Sequence, residues 1–258
     1  MAEARRNLKL PELGGDHYAR IAYAALLPWE EAKQELQSSI QHNEASYRSA
    51  ALAALIESAR YEDRYADLLS LLERHRNEQD PVRLAMLRSL NELPPSRWKS
   101  EQLAGLDKLL RAALDAGDLS LQSLEQIQGL LLHLLPFHPQ WSIAWLIKLW
   151  EERRHALQVD LKTRLNRAQF ALLEQAFLPL AQKAKRARDY DHVLNIAYQL
   201  ESRLEEDSPL IVLLEELLAV KDDQIVRSSL FLLARIAPRR LLAGLPKLVR
   251  RDASFITI

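Results

Sequence analysis

The side chains of this 258-residue chain that could do chemistry are seven histidines, 35 carboxylates, 35 lysines and arginines and five tryptophans; there is no cysteine. Without a thiol the chain forms no disulfide, iron–sulfur cluster, thiolate zinc site or cysteine nucleophile. No two histidines stand at the i, i+4 spacing of a helical zinc site. His133, in GLLLHLLPFH, sits in an apolar run where a buried or interface role is expected, and His138 precedes Pro139 and ends a turn. Gly14-Gly15 is the only close glycine pair and no GKS or GKT follows it, which excludes a P-loop. The residues therefore predict no catalytic group, no metal ligand and no cofactor, and a protein that is not an enzyme.

Two other groupings could bind rather than react. Trp141 and Trp145 share a helix face in PQWSIAWLIKLWEERR while Trp150 lies almost opposite, so the helix is apolar nearly all round and burial between neighbours is expected, with base stacking or peptide anchoring as the alternative. Charge balances overall, so nothing global draws the molecule to nucleic acid or anionic membrane. Locally, residues 201–223 carry a net −6 and residues 224–258 a net +6, and QKAKRAR (182–188) adds a basic run at a helix end. The opposite blocks can complement each other across neighbouring helices. Otherwise Lys183, Lys185, Arg186, Arg188, Arg239, Arg240, Arg250 and Arg251 are the candidate binding residues for an anionic partner.

The elements that must hold these groups are helices. Six glycines and an abundance of Leu, Ala, Arg, Glu and Gln favour helix, because straight side chains lose little rotamer freedom there. Apolar residues recur at three- and four-residue spacings almost throughout, and no alternating run is long enough for a paired strand. Caps and prolines predict about twelve or thirteen helices, starting near residues 17, 29, 44, 62, 81, 99, 119, 139, 159, 190, 208, 223 and 239. Asp80-Pro81 and Ser208-Pro209 each read as a capping side chain followed by proline at the first helical position. Pro94-Pro95 closes the helix that begins at Pro81, and Pro179 should kink or split the run from 159 to 188.

Three segments share one pattern: NEASYRSAALAALIES from Asn43, QDPVRLAMLRSLNELP from Gln79 and DDQIVRSSLFLLARIAP from Asp222. Each has an acid, a large apolar residue, an arginine, and then a helix of small and aliphatic residues. Arg48 and Arg83 are 35 residues apart, and Arg83 and Arg227 are 144 apart, which is four units of 36. A period of this size signals stacked helical hairpins, each too small to bury its apolar face alone. Arg48, Arg83 and Arg227, with Asp80 and Asp223 at the helix starts, make the expected structural ladder, each arginine reaching an acid or carbonyl of the next unit. Asp80 is expected to cap, Val82 to pack, and Leu87, Leu90 and Leu93 to fill the space between layers.

The string Asp-x-x-Val-Arg with following Ala and Leu, preceded by leucine-rich helices such as YADLLSLLERHR (65–76) and PLIVLLEELLAV (209–220), resembles the HEAT repeat. The resemblance covers residues 65–94 and 209–237 best, 29–59 less closely and 100–205 least. It implies an all-α fold, a right-handed superhelix of antiparallel helix pairs with the second helices inside the curve. It further implies a non-enzymatic scaffold that takes another protein or peptide in its concave groove. One bacterial family of alkylated-base DNA glycosylases is also built from HEAT-like helical pairs, so nucleic-acid binding is the alternative; the balanced charge argues against it, since duplex phosphate needs a concentrated basic stripe.

The expected organisation is an N-terminal extension over 1–16, one domain over 17–252 and a tail over 253–258. The apolar tail Phe255, Ile256 and Ile258 reads as a docking segment or the start of further repeats in a longer array. The start of the chain lacks the apolar centre of a signal peptide and no long uncharged apolar stretch follows, so a cytoplasmic protein without membrane contact is expected.

Overall fold

The computed structural model describes residues 2–8, 16–152 and 166–249, and every regular element among them is helical. Fourteen α-helices occur in these residues. In chain order they are α1 Ala2–Asn7, α2 His17–Ala24, α3 Trp29–Ile40, α4 Ala45–Ser58, α5 Tyr65–Arg74, α6 Asp80–Asn91, α7 Leu103–Asp115, α8 Leu121–Leu134, α9 Pro139–Glu152, α10 Arg167–Arg186, α11 Tyr190–Leu200, α12 Pro209–Leu217, α13 Asp223–Ile236 and α14 Pro238–Val249. No described helix is long and apolar enough to cross a membrane. The helix expected near 159 falls outside the described residues, as does the tail over 253–258. The region read as an extension contains α1, whose Ala4 is buried and whose Arg5 pairs with Glu31.

Polar side chains fix many of the helix starts by accepting otherwise unpaired N–H groups. Asp16 Oδ1 accepts from Ala19 at 3.0 Å, Ser120 Oγ from Ser123 at 3.1 Å, and Ser208 Oγ from Leu210 at 3.1 Å. Asn166 and Gln169 form a reciprocal capping box at 2.8 and 2.9 Å. Helix α10 is not split at Pro179. Phe177, Leu180 and Ala181 are all buried around that turn, so packing holds the helix although proline supplies no N–H to the carbonyl of Gln175.

The chain divides into two compact units, with the boundary between Ser142 and Ile143. In the first unit α2 and α3 pack on α4, α4 packs on α6 and α6 on α8, while α5 packs on α7. Helices two apart in sequence are thus neighbours. The core between them holds Trp29, Leu36, Leu52, Leu55, Tyr65, Leu68 and Leu106, together with Val82, Leu87, Leu90 and Leu93 of the quoted pattern. In the second unit α10 packs on α11 and α12, α11 on α12 and α13, α12 on α13, and α13 on α14. Its core is Trp150, Phe177, Val193, Ile196, Ile211, Leu214, Val226 and Leu233.

Candidate functional site

The repeated arginine stands at the same place in α4 and α6, four residues after the N-caps Glu44 and Gln79. Arg48 donates from Nε and Nη2 to the Glu78 carboxylate at 2.9–3.1 Å and from Nη1 to the carbonyls of His42 and Asn43 at 2.8 and 2.7 Å. Arg83, only 4% exposed, reaches the Glu78 carbonyl and the Asp118 carboxylate. Each guanidinium therefore joins the loop before its own helix to an acid in the loop before the next helix of the α4, α6, α8 row.

Two of the ladder residues act otherwise than the sequence suggests. Asp80 does not cap α6; the N-cap is Gln79, and the Asp80 carboxylate instead accepts from Ser120 N–H at 3.1 Å and Ser123 Oγ at 2.7 Å at the start of α8. Its own N–H donates to Asp118 Oδ2 at 2.9 Å. At α13 the cap is Asp222, which accepts from Gln224 and Ile225, while Asp223 is an exposed first residue. Counting four from Asp222 gives Val226, fully buried, so valine occupies the place of Arg48 and Arg83 and Arg227 turns to solvent with no hydrogen bond or ion pair among the described residues.

Turning the arginines toward the loops leaves small residues on the opposite, open side of the same helices. Five, six and nine residues after the cap, α4 carries Ser49, Ala50 and Ala53, and α6 carries Leu84, Ala85 and Arg88. With α2 these form a groove of about 710 Å³. Its floor is largely alanine, which leaves depth for a ligand because no side chain extends beyond Cβ. Tyr18 and Leu26, 51% and 52% exposed, stand on the α2 side, and Tyr18 stacks on Tyr47 at 5.0 Å between ring centres. The other end is charged: Glu57, Arg60, Arg88 and Glu92, of which Arg60 is held by the Glu92 carbonyl at 3.0 Å and Arg88 is exposed with no ion pair among the described residues. The sequence reading missed this groove; the only signal is the run of small residues at helical spacing in α4.

A second cleft of about 750 Å³, also in the first unit, lies between the α5–α6 and α7–α8 loops. Its cations meet acids at short range: Lys108 and Arg76 with Glu73, Arg111 with Asp115, and Arg83 with Asp118. Burial works against ionisation of Asp80, but hydrogen bonds from Ser120 and Ser123 and the Arg83 charge outweigh it and hold the carboxyl below its ordinary range. Asp118 is likewise lowered, first by the hydrogen bond from Arg83 and then by the Asp80 N–H.

The basic candidates are mostly committed to glutamates. Lys183 pairs with Glu151 at 3.1 Å, Lys185 with Glu216, and Arg240 with both Glu215 oxygens at 2.8 and 2.7 Å and with the Glu206 carbonyl at 2.8 Å. Arg186, Arg188 and Arg239 are exposed without an ion pair among the described residues, and Arg250 and Arg251 lie outside those residues. The structure thus brings members of the acidic and basic blocks together as pairs and, among the described residues, leaves few of the candidate cations uncommitted.

The histidines and tryptophans serve as joints. His133 donates from Nδ1 to the Asn91 carbonyl at the end of α6 at 2.8 Å, and His138 from Nε2 to the Trp98 carbonyl at 2.9 Å. Trp141 donates to Asp107 at 2.8 Å; Trp145 and Trp150 are buried, the latter donating to His192. No cluster of three or more potential metal ligands occurs among the described residues. No protein-family model matches the chain, and comparison with curated proteins and with solved structures finds no match either.

Proposed function

We propose that this chain is a non-enzymatic helical-repeat scaffold, HEAT-like in architecture, that holds another protein or peptide along the open side of α2, α4 and α6. The observation that carries the reading is the groove: an alanine and serine floor, an exposed Tyr18 and Leu26 on one side, and a mixed charged end at Glu57, Arg60, Arg88 and Glu92. Apolar depth with polar groups at the margin suits a peptide or helix whose buried side carries bulky residues. The two in-register arginines, Arg48 and Arg83, support the architectural half, because neighbouring units of a stacked array contact each other at equivalent positions.

The test is affinity capture from the native host with three proteins: the wild type, Ala53→Glu in the groove floor, and Leu121→Ser on the exposed start of α8. Partners retained by Leu121→Ser and lost by Ala53→Glu, with both variants as helical as wild type by circular dichroism, are the expected result. Recovery of the same partners by Ala53→Glu would overturn the proposal.

A further inference from the structure

The two units carry surfaces of opposite relief. Nine residues after their caps Asp189 and Asp222, α11 presents Tyr198 and α13 presents Phe231, 53% and 50% exposed, and the two helices pack on each other. At the same level, nine residues after their caps, α2 and α4 of the first unit hold Ala25 and Ala53, and both line the groove. Packed helices lie about 8–10 Å apart, so two rings on neighbouring helices and two alanines on neighbouring helices share one lateral spacing. The charges beside them run in opposite order. Along α13, Arg227 and Asp223 precede Phe231 by four and eight residues, about 6 and 12 Å, and both are exposed without an ion pair among the described residues. In the groove, Glu57 and Arg60 follow Ala53 by four and seven residues, about 6 and 11 Å, again without an ion pair among the described residues. The Arg60 guanidinium is held by the Glu92 carbonyl, and its Nε has no hydrogen-bond partner.

We propose that the Tyr198 and Phe231 ridge of one copy of this chain docks in the α2, α4, α6 groove of a second copy, with α13 antiparallel to α4. Such docking rests on the reading of the groove as a binding site and names its occupant. In that register Phe231 lies on Ala53, Arg227 on Glu57 and Asp223 on Arg60, so each charge meets its opposite at matching rises along the two helices. Arg235 takes no part beyond its place 5.4 Å over the Phe231 ring, since Glu201 already holds it at 2.9 Å. A partner of uniform charge leaves either Arg227 or Asp223 facing its own sign; the alternation at Glu57 and Arg60 satisfies both. The seated rings bury about 150–250 Å² each and supply the affinity, while the rim pairs set register and orientation.

The experiment is sedimentation velocity of the full chain over about 1–200 µM, with wild type, Ala53→Glu, Phe231→Ala, Arg227→Glu, Glu57→Arg and the double variant that joins the last two substitutions. Wild type is expected to self-associate. Ala53→Glu and Phe231→Ala each weaken association at least about tenfold, and an equimolar mixture of the two recovers a 1:1 complex, because one retains the ridge and the other the groove. Arg227→Glu and Glu57→Arg each weaken association, and the double variant recovers it, because the pair is reversed instead of lost. Phe231, Arg227 and Glu57 are exposed, so those substitutions retain the fold. A monomeric wild type, association that survives both Ala53→Glu and Phe231→Ala, a mixture of those two without a complex, or a double variant as weak as its parents would each overturn the proposal. With a monomeric wild type the groove itself still stands or falls separately, by whether Ala53→Glu loses foreign partners in affinity capture.

Discussion

Asp80 and Ser123, 43 residues apart, share a 2.7 Å hydrogen bond in which the serine hydroxyl at the start of α8 donates to a carboxylate at the start of α6. Since Ser120 N–H and Arg83 also favour the charged form, the folded protein lowers the Asp80 carboxyl pKa relative to the unfolded chain. That contribution to stability is complete above the unfolded value of about 3.9 and is lost as pH falls through the lower folded value. Asp80→Asn is expected to cost about 1.5–3 kcal/mol at neutral pH, and its urea midpoint should fall less steeply than that of wild type on acidification. Parallel curves for the two proteins would remove Asp80 from the account.

Arg83 and Arg227 look equivalent in sequence and are not equivalent in the fold. Replacing buried Arg83 by alanine removes hydrogen bonds to the Glu78 carbonyl and Asp118 and is expected to cost about 2 kcal/mol or more. Arg227→Ala should stay within about 0.5 kcal/mol, as for most exposed positions. Chemical denaturation distinguishes the two, and equal losses would restore Arg227 to the ladder.

Arg188 is the one residue other than glycine with positive φ among the described residues, at 59°. It follows α10 in the left-handed conformation that ends many helices, with Asp189 N–H donating to the Ala184 carbonyl at 2.9 Å. A Cβ there costs about 1 kcal/mol, and the side chain makes no ion pair among the described residues that would be lost. Arg188→Gly should therefore raise the thermal midpoint; a fall would mean that the arginine itself makes a stabilising contact.

Gly105 lets α7 approach α5. A methyl group added there would lie 3.0 Å from Leu69 Cδ1 and 3.2 Å from Leu69 Cβ, and Leu69 is buried with little room to yield. Alanine gains about 1 kcal/mol of helix propensity, while overpacking costs about 1–3 kcal/mol. Gly105→Ala is expected to lower the melting temperature, and an increase would show that Leu69 moves aside.

Helix identity and many boundaries were legible because proline, caps and three-to-four-residue periodicity act within one turn of chain. Pro139 and Pro238 open helices at those residues, and Leu87, Leu90 and Leu93 are buried as their spacing implied. The rungs at Arg48 and Arg83 were legible for the same reason, since each is set by its distance from a local helix start. Arg227 was misread because two consecutive aspartates precede it. With Asp222 as the cap, the fourth residue after it is Val226, which packs inward with Ile225, Leu230 and Leu233, and Arg227 falls one residue beyond, on the exposed side.

Sequence alone determined that the described chain is helical, where many of its helices begin, and which faces are apolar, because those properties depend on neighbours within a few residues. Only the tertiary structure decided that Asp80 serves the next helix, that Lys185 and Arg240 are neutralised by Glu216 and Glu215, and that the alanines of α4 floor an open groove while Tyr198 and Phe231 stand exposed. Each of these depends on which group another helix, some 25 to 43 residues away, sets against it, and a one-dimensional pattern carries no record of that distance.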